Sequence, residues 1–213
     1  MEKIILIGAG GHCRSIIDSI NGLNNFQIIG IVDKKHRNHS RLDIDRVWCD
    51  EDLDSLYKSG IKNAFIGIGS TAYPEIRIKF YNLLKSIGYN FPIIIDKTAI
   101  VSCSAKIEEG VFIGKGAIVN ANALIKKQCI INSGAIVEHD CKINEFVHLA
   151  PGATLSGGVS IGQGTHVGTN ATIIQNINVG KNVLIGAGSV IVKNVKDGIK
   201  VYGNPGREVE CYE

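Results

Sequence analysis

Residues Ile113–Val137 read IGKGAIVNANALIKKQCIINSGAIV. A branched aliphatic recurs at every sixth position (Ile113, Val119, Ile125, Ile131, Val137), and a small residue stands four places after each (Ala117, Ala123, Cys129, Ala135). Followed outward, the aliphatic rule holds without insertion for seventeen consecutive hexads, from Ile95 to Lys196, and the position four places on stays mostly small or β-branched. Neither the 3.6-residue period of a helix nor the two-residue alternation of a strand sustains such a repeat. A solenoid does. Three six-residue faces close a coil of eighteen residues, and coils stack at the ~4.8 Å spacing of paired strands. The aliphatic then points into a triangular core, with the small residue near a corner. The reading is a hexapeptide-repeat parallel β-helix, left-handed by its repeat type.

The chain has 213 residues. A repeat that begins only at Ile95 predicts two domains, 1–94 and 95–213. A net charge of +3 without a long Lys/Arg run gives no reason to expect nucleic acid. The cysteines at 13, 49, 103, 129, 141 and 211 form no CxxC pair, and Cys129 and Cys141 fall on the inward small position, so they read as reduced and structural. The opening MEKIILIGAGG has no signal-peptide h-region, and no apolar run approaches ~20 residues. A soluble, cytoplasmic protein is expected.

The first domain alternates strands and helices. Strands are expected at Lys3–Gly8, Gln27–Val32, Asn63–Ile68 and Phe91–Ile95. Helices are expected over Cys13–Ile20, Leu53–Ser59 and within Pro74–Ile87, the last with Ile76, Phe80, Leu83, Leu84 and Ile87 as its apolar residues. That order implies an α/β, Rossmann-like parallel sheet. The loop Gly8-Ala9-Gly10-Gly11-His12 departs from the dinucleotide fingerprint, because Cys13 stands where the third glycine belongs. Gly8, Gly10 and Gly11 still leave backbone N–H groups open at a helix N-terminus, a cradle for phosphate. Asp33 ends the second strand, where an acid accepts a ribose or base hydrogen bond. A second glycine turn, Gly67-Ile68-Gly69-Ser70, falls on the same edge of the sheet. These glycines also suit plain tight turns. Taken with Asp33 they favour a sugar nucleotide over NAD.

The combination of GAGGH (8–12), VDKK (32–35), IGIGS (66–70), the segment Glu138-His139-Asp140-Cys141 and the tail Gly203-Asn204-Pro205-Gly206-Arg207 resembles one family along both domains. That family is the NeuD/PglD-type sugar O/N-acetyltransferases, bacterial enzymes of sialic acid, bacillosamine and perosamine biosynthesis. The resemblance is strongest to the subgroup that N-acetylates UDP-linked 4-amino sugars. It implies a homotrimer with acetyl-CoA in the groove between adjacent solenoids and no metal. It also implies a nucleotide sugar held by Gly8, Gly10, Gly11, His12, Asp33, Lys34 and Gly69.

His139 is implied to be the general base, since an amine or hydroxyl attacking a thioester must lose a proton. Asp140 or Glu138 would fix its tautomer, and neighbouring strand residues point to opposite faces, so both stay open. Gly157 matches the backbone donor to the oxyanion. His148, Thr169, Ala187 and Arg207 are implied to meet the coenzyme, with Gly186, Ala187 and Gly188 admitting its close approach and Lys193 near Arg207.

His166, one coil after His148, reads as a solvated corner residue. His139, His148 and His166 would also be enough for zinc in a solenoid carbonic anhydrase, although the closely spaced histidine pair of those enzymes is missing. Asn120–Gln128 read as plain coils. The expected activity is N-acetylation of a UDP-linked 4-amino-4,6-dideoxy sugar. O-acetylation of sialic acid or a related sugar, GDP-perosamine N-acetylation and a non-catalytic binding solenoid are the alternatives.

Overall fold

The computed structural model describes residues 1–33, 44 and 46–209. The chain forms two compact units, Met1–Gly69 with Glu75–Ile94, and Ser70–Pro74 with Ile95–Glu213.

The first unit is a four-stranded parallel sheet. Its strands are β1 (Glu2–Ile7), β2 (Phe26–Val32), β3 (Val47–Trp48) and β4 (Asn63–Ile66), in the order β3-β2-β1-β4. β1 is central and Ile4, Ile5, Leu6 and Ile7 are fully buried, as a two-sided α/β sheet requires. Among the described residues three α-helices accompany the strands: α1 (Gly11–Leu23), α2 (Leu53–Lys58) and, after β4, α3 (Glu75–Ile87). α1 ends at Asn24, whose φ of 57° is the left-handed cap that asparagine tolerates.

Two expectations need correction. The stretch Phe91–Ile95 contributes only Ile94–Ile95 as strand, because Asn90 makes the last bridge to the head sheet at Asn63. α3 buries Arg77, Tyr81 and Leu84 while Ile76 and Leu83 stay exposed. Those three positions share the helical period, but an arginine at the first hid the stripe.

The second unit is the expected left-handed β-helix. Two-residue strands stack in three parallel sheets, and from Ile100 to Ile191 their pairings join residues eighteen apart, as Leu124↔Lys142, Ile136↔Thr154 and His148↔His166, while the last coil pairs Leu184 with Lys200. The aliphatic of every hexad from Ile113 to Ile191 is at most 4% exposed, which makes the repeat one continuous core.

A second six-residue rule accompanies the first. Every sixth residue from 110 to 188 takes a left-handed φ between 51° and 72°. Seven of these fourteen are glycine and four are asparagine, the residues that reach this region at least cost. Gln128, Asp140 and Phe146 fill the other three. This residue turns each corner, so the positions around it belong to turns and not to strands.

Candidate active site

Val137 ends a strand and Lys142 begins the next, so Glu138–Cys141 form a corner of the solenoid. Asp140 is its left-handed residue, with φ of 60°. That conformation turns the carboxylate back on its neighbour, and Asp140 Oδ2 lies 2.8 Å from His139 Nδ1. The question left open between two carboxylates is thus decided by the corner. Glu138 faces the other way, its Oε2 accepting from Asn120 Nδ2 at 3.0 Å and from the His139 amide at 3.3 Å. Asn122 Nδ2 reaches Asp140 Oδ1 at 3.4 Å. The hydrogen bond to Asp140, helped by the charges of Asp140 and Glu138, raises His139 above its ordinary range. Hydrogen bonds from His139 and then Asn122 hold the Asp140 carboxyl below its own.

With Nδ1 committed to Asp140, the free nitrogen of neutral His139 is Nε2. It lies over Gly157, one coil on. A β-carbon built there would fall 2.5 Å from His139 Nε2 and Cε1, so only glycine leaves the imidazole room. The neighbouring amides are engaged, Gly158 N donating to His139 O at 2.9 Å. Among the described residues no acceptor takes the Gly157 N–H. A base nitrogen and a backbone donor therefore share one corner, as acyl transfer requires.

In the first unit the predicted glycines separate into two kinds. Gly8 serves the fold, with φ of 91° and a β-carbon position 2.5 Å from Ile68 Cγ1. Gly10 has φ of −77° and nothing within 4 Å of its β-carbon position, and Gly11 meets only Arg14 Nη2 at 3.6 Å. The fold asks for neither, so their bare backbone stands open at the N-terminus of α1, which carries no side-chain cap and no acid in its first turn. A β-carbon at Gly69 would border only the His12 side chain, Cβ at 3.4 Å and Cγ at 3.8 Å.

His12 is pushed down to about 4, by burial first and then by Arg77. Asp33 is buried at the end of β2, beside Cys13, whose thiol burial pushes up to about 12 with help from the Asp33 charge. The missing third glycine is also accounted for. A β-carbon at Gly67 would sit 3.0 Å from Cys13 Cβ and Sγ, so the close approach of helix to strand uses a glycine on β4's side instead. Lys34 lies outside the described residues.

Residues 3–84 match the PglD N-terminal domain family. The whole chain is similar to a histidine-to-alanine variant of GDP-perosamine N-acetyltransferase from Caulobacter crescentus, solved with CoA and GDP-perosamine. Identity is 30%, the TM-score is 0.93, and the match covers 99% of this chain and 98% of that one. The chain belongs to the NeuD/PglD family of sugar acetyltransferases.

Two further structures agree. The acetyltransferase domain of PglB from Neisseria gonorrhoeae, in complex with acetyl coenzyme A, is 31% identical with a TM-score of 0.88, over 98% of this chain and 99% of that one. WeeI from Acinetobacter baumannii is 25% identical with a TM-score of 0.86, over 98% and 100%. No curated protein matches the chain.

The other residues expected in a NeuD/PglD-family site lie elsewhere on the solenoid. Thr169 and Ala187 are exposed and one coil apart, on a different corner from His139 and Gly157, so a single chain does not bring the four together. Arg207 lies in the antiparallel strand Arg207–Val209, paired with Tyr202. Gly186 does not admit a coenzyme as expected, because a β-carbon there would fall 2.1 Å from Cδ1 of the Tyr202 ring, which already covers it.

His166 is not a solvated corner residue, and His148 stands beside it. Both are outward strand residues, each 8% exposed, with ring centroids 4.8 Å apart at 84°. Among the described residues no group of three His, Cys, Asp or Glu is arranged to hold a metal. Asn120 and Asn122 were read as plain coil, yet each holds a carboxylate of the His139 corner. The eighteen-residue offset to Glu138 and Asp140 was the available signal.

Proposed function

We propose that the protein transfers the acetyl group of acetyl-CoA to the 4-amino group of a UDP-linked 4-amino-4,6-dideoxy sugar, by direct attack of the amine. The observation that carries this is the corner where Asp140 fixes His139 Nδ1 and His139 Nε2 lies over the unengaged N–H of Gly157. His139 Nε2 takes the proton that the attacking amine loses as the C–N bond forms. The Gly157 N–H meets the negative charge that develops on the acetyl oxygen. His139 then gives the proton to the sulfur as the C–S bond breaks. Two carboxylates, Glu138 and Asp140, flank the base. Such a corner favours a basic amine over the anionic sialic acid of the O-acetylating alternative.

The open backbone of Gly10 and Gly11, with Asp33 and Gly69, suits the nucleotide sugar. Thr169, Ala187 and Arg207 are assigned to the coenzyme of a neighbouring copy in a homotrimer. This reading draws on their distance from His139 and on the outward apolar ladder of Ile100, Ile118 and Ile136, which a partner would cover. No helix of the described residues is long and apolar enough to cross a membrane. The proposed location is the cytoplasm.

Purified protein with acetyl-CoA and a UDP-linked 4-amino sugar should release CoA thiol. His139→Ala should reduce kcat at least 10²-fold, about the low end for general-base catalysis. Unchanged turnover would remove His139 from the reaction. GDP-linked perosamine and sialic acid in the same assay, with melting shifts for UDP and GDP, decide the acceptor. Sedimentation as a monomer would undo the shared site.

A further inference from the structure

The corners of the solenoid carry four asparagines in the left-handed conformation, Asn122, Asn170, Asn176 and Asn182. Three of them lean back on the coil before. The Oδ1 atoms of Asn170, Asn176 and Asn182 take up the space of a β-carbon at Gly152, Gly158 and Gly164, each eighteen residues earlier. Asn122 does otherwise. Eighteen residues before it stands Ser104, whose Oγ accepts the Asn122 backbone N–H at 3.0 Å. The Asn122 side chain reaches forward instead, and its Nδ2 lies 3.4 Å from Asp140 Oδ1 on the next coil. A carboxylate only accepts, so the amide nitrogen must be the atom that faces Asp140.

The Asp140 carboxylate thus has one donor on each oxygen, Asn122 on Oδ1 and His139 Nδ1 on Oδ2 at 2.8 Å. The corner fixes the Asp140 backbone, but the torsion that turns an aspartate carboxylate about its last bond is broad. The side chain is 59% exposed, so water competes for both oxygens. A donor on the second oxygen removes that freedom. The same bond, second to the one from His139, keeps the carboxyl ionised. The charged groups that bear on His139 are Asp140 and Glu138, and Glu138 is held separately by Asn120 Nδ2 at 3.0 Å.

We infer that Asn122 is a positioning residue, which holds the plane of the Asp140 carboxylate and thereby keeps the His139 proton on Nδ1 and its Nε2 free over Gly157. This rests on the proposed reading of His139 as the base. Without the amide, the carboxylate turns, its bond to Nδ1 weakens and the tautomer with the proton on Nε2 gains population. That tautomer cannot accept a proton from the attacking amine at Nε2. The weaker bond also lets the His139 pKa fall back toward its ordinary value, which moves the acidic limb of kcat to lower pH. Neither effect touches the binding of acetyl-CoA or of the acceptor.

Steady-state kinetics and NMR on the full-length protein test this. Asn122→Gly keeps a residue suited to the φ of 57° and loses only the amide. Its kcat should fall about fivefold, the order of one net hydrogen bond, with both KM values within twofold of wild type and the acidic limb at lower pH. Asn122→Asp keeps the shape but sets a second carboxylate against Asp140, and its kcat should fall at least as far. Asn182→Gly makes the same exchange at a corner away from His139 and should match wild type in kcat and pH profile. A defect there equal to that of Asn122→Gly would make the effect one of corner asparagines in general and overturn the inference.

The second arm needs no substrate. In nitrogen-15 NMR of histidine-labelled protein, the His139 ring, assigned by its loss in His139→Ala, should be mainly Nδ1–H in wild type and shift toward Nε2–H in Asn122→Gly. An unmoved tautomer, an unchanged kcat in Asn122→Gly or a wild-type kcat in Asn122→Asp overturns the inference. If His139→Ala turns over as fast as wild type, the proposed function loses its base and the positioning role falls with it, while the NMR arm still reports on the contact between Asn122 and Asp140.

Discussion

Replacing Gly157 by alanine isolates the placement of the His139 imidazole, the proposed base. The new methyl would sit 2.5 Å from His139 Nε2 and Cε1. Carbon and nitrogen atoms in contact settle near 3.5 Å, so the ring must move by about 1 Å. Gly157 does not use a left-handed φ, so alanine suits its backbone, and its N–H donor survives the change. The His139 side chain is 60% exposed and swings toward solvent at little cost to the fold. The defect is therefore confined to geometry. A misplacement of about 1 Å costs on the order of 10²-fold in rate, which corresponds to about 2.7 kcal/mol of barrier. Release of CoA thiol at saturating acetyl-CoA and acceptor reads kcat, and differential scanning fluorimetry reads the fold. The expected result is a kcat lower by about 10²-fold, with Tm within about 2 °C of wild type. As the ring leaves Asp140, its pKa falls back toward the ordinary 6.5, and the acidic limb of kcat moves to lower pH. A kcat within twofold of wild type would refute the placement of His139 over Gly157.

Three further outcomes follow from single contacts. Asp140→Asn keeps a residue suited to the left-handed corner but loses the charge that raises His139, so Tm should hold, kcat should fall about 10²-fold, and the acidic limb of the pH–rate profile should shift to lower pH. Gly10→Ala meets nothing within 4 Å and should leave Tm unchanged, while an isotherm for the nucleotide sugar should weaken about tenfold as the methyl blocks backbone approach. In the solenoid, Gly162→Ala would put a β-carbon 2.4 Å from the Gly180 backbone and should lower unfolding free energy in urea by about 3 kcal/mol, whereas Gly188→Asn, at a left-handed corner with open space, should cost less than about 1 kcal/mol.

The architecture was legible because a β-helix writes its geometry into a period. The aliphatic ladder from Ile113 to Ile191 names the core directly, and the glycines and asparagines of the corners repeat at the same spacing. His139 was legible as chemistry, but its partner was not. Treating Glu138–Asp140 as strand left two carboxylates equivalent, when the left-handed conformation of Asp140 distinguishes them. The burial of His148 and His166 was hidden for a different reason. Both stand at the outward position of their strands, which the repeat leaves to solvent or to whatever segment packs on it. The cover over His148 comes from Ser70, 78 residues away in sequence, and no local pattern announces it. Arg77 was missed because hydrophobic periodicity does not count an arginine as a core residue.

The dyad fits this fold because it uses positions the repeat already treats as exceptional. Each corner needs one residue in a conformation that most side chains avoid, and glycine or asparagine usually supplies it. Aspartate is the anionic relative of asparagine and tolerates the same region, so Asp140 adds a carboxylate without adding strain of its own. The residue before the corner is free of both core and ladder duties, and there His139 stands 60% exposed. The residue one coil above it has only to be small, and Gly157 is. A histidine moved eighteen residues forward would land on Gly157 itself and face Gln175 at the next coil, with Gly158 in place of Asp140 and no carboxylate to hold it. Moved eighteen back it would take the place of Ala121, with Asn122 at the corner and His139 above it. Of these three consecutive coils, only the one carrying His139 has aspartate at the corner and glycine overhead, and the base therefore belongs at one height on an otherwise uniform column.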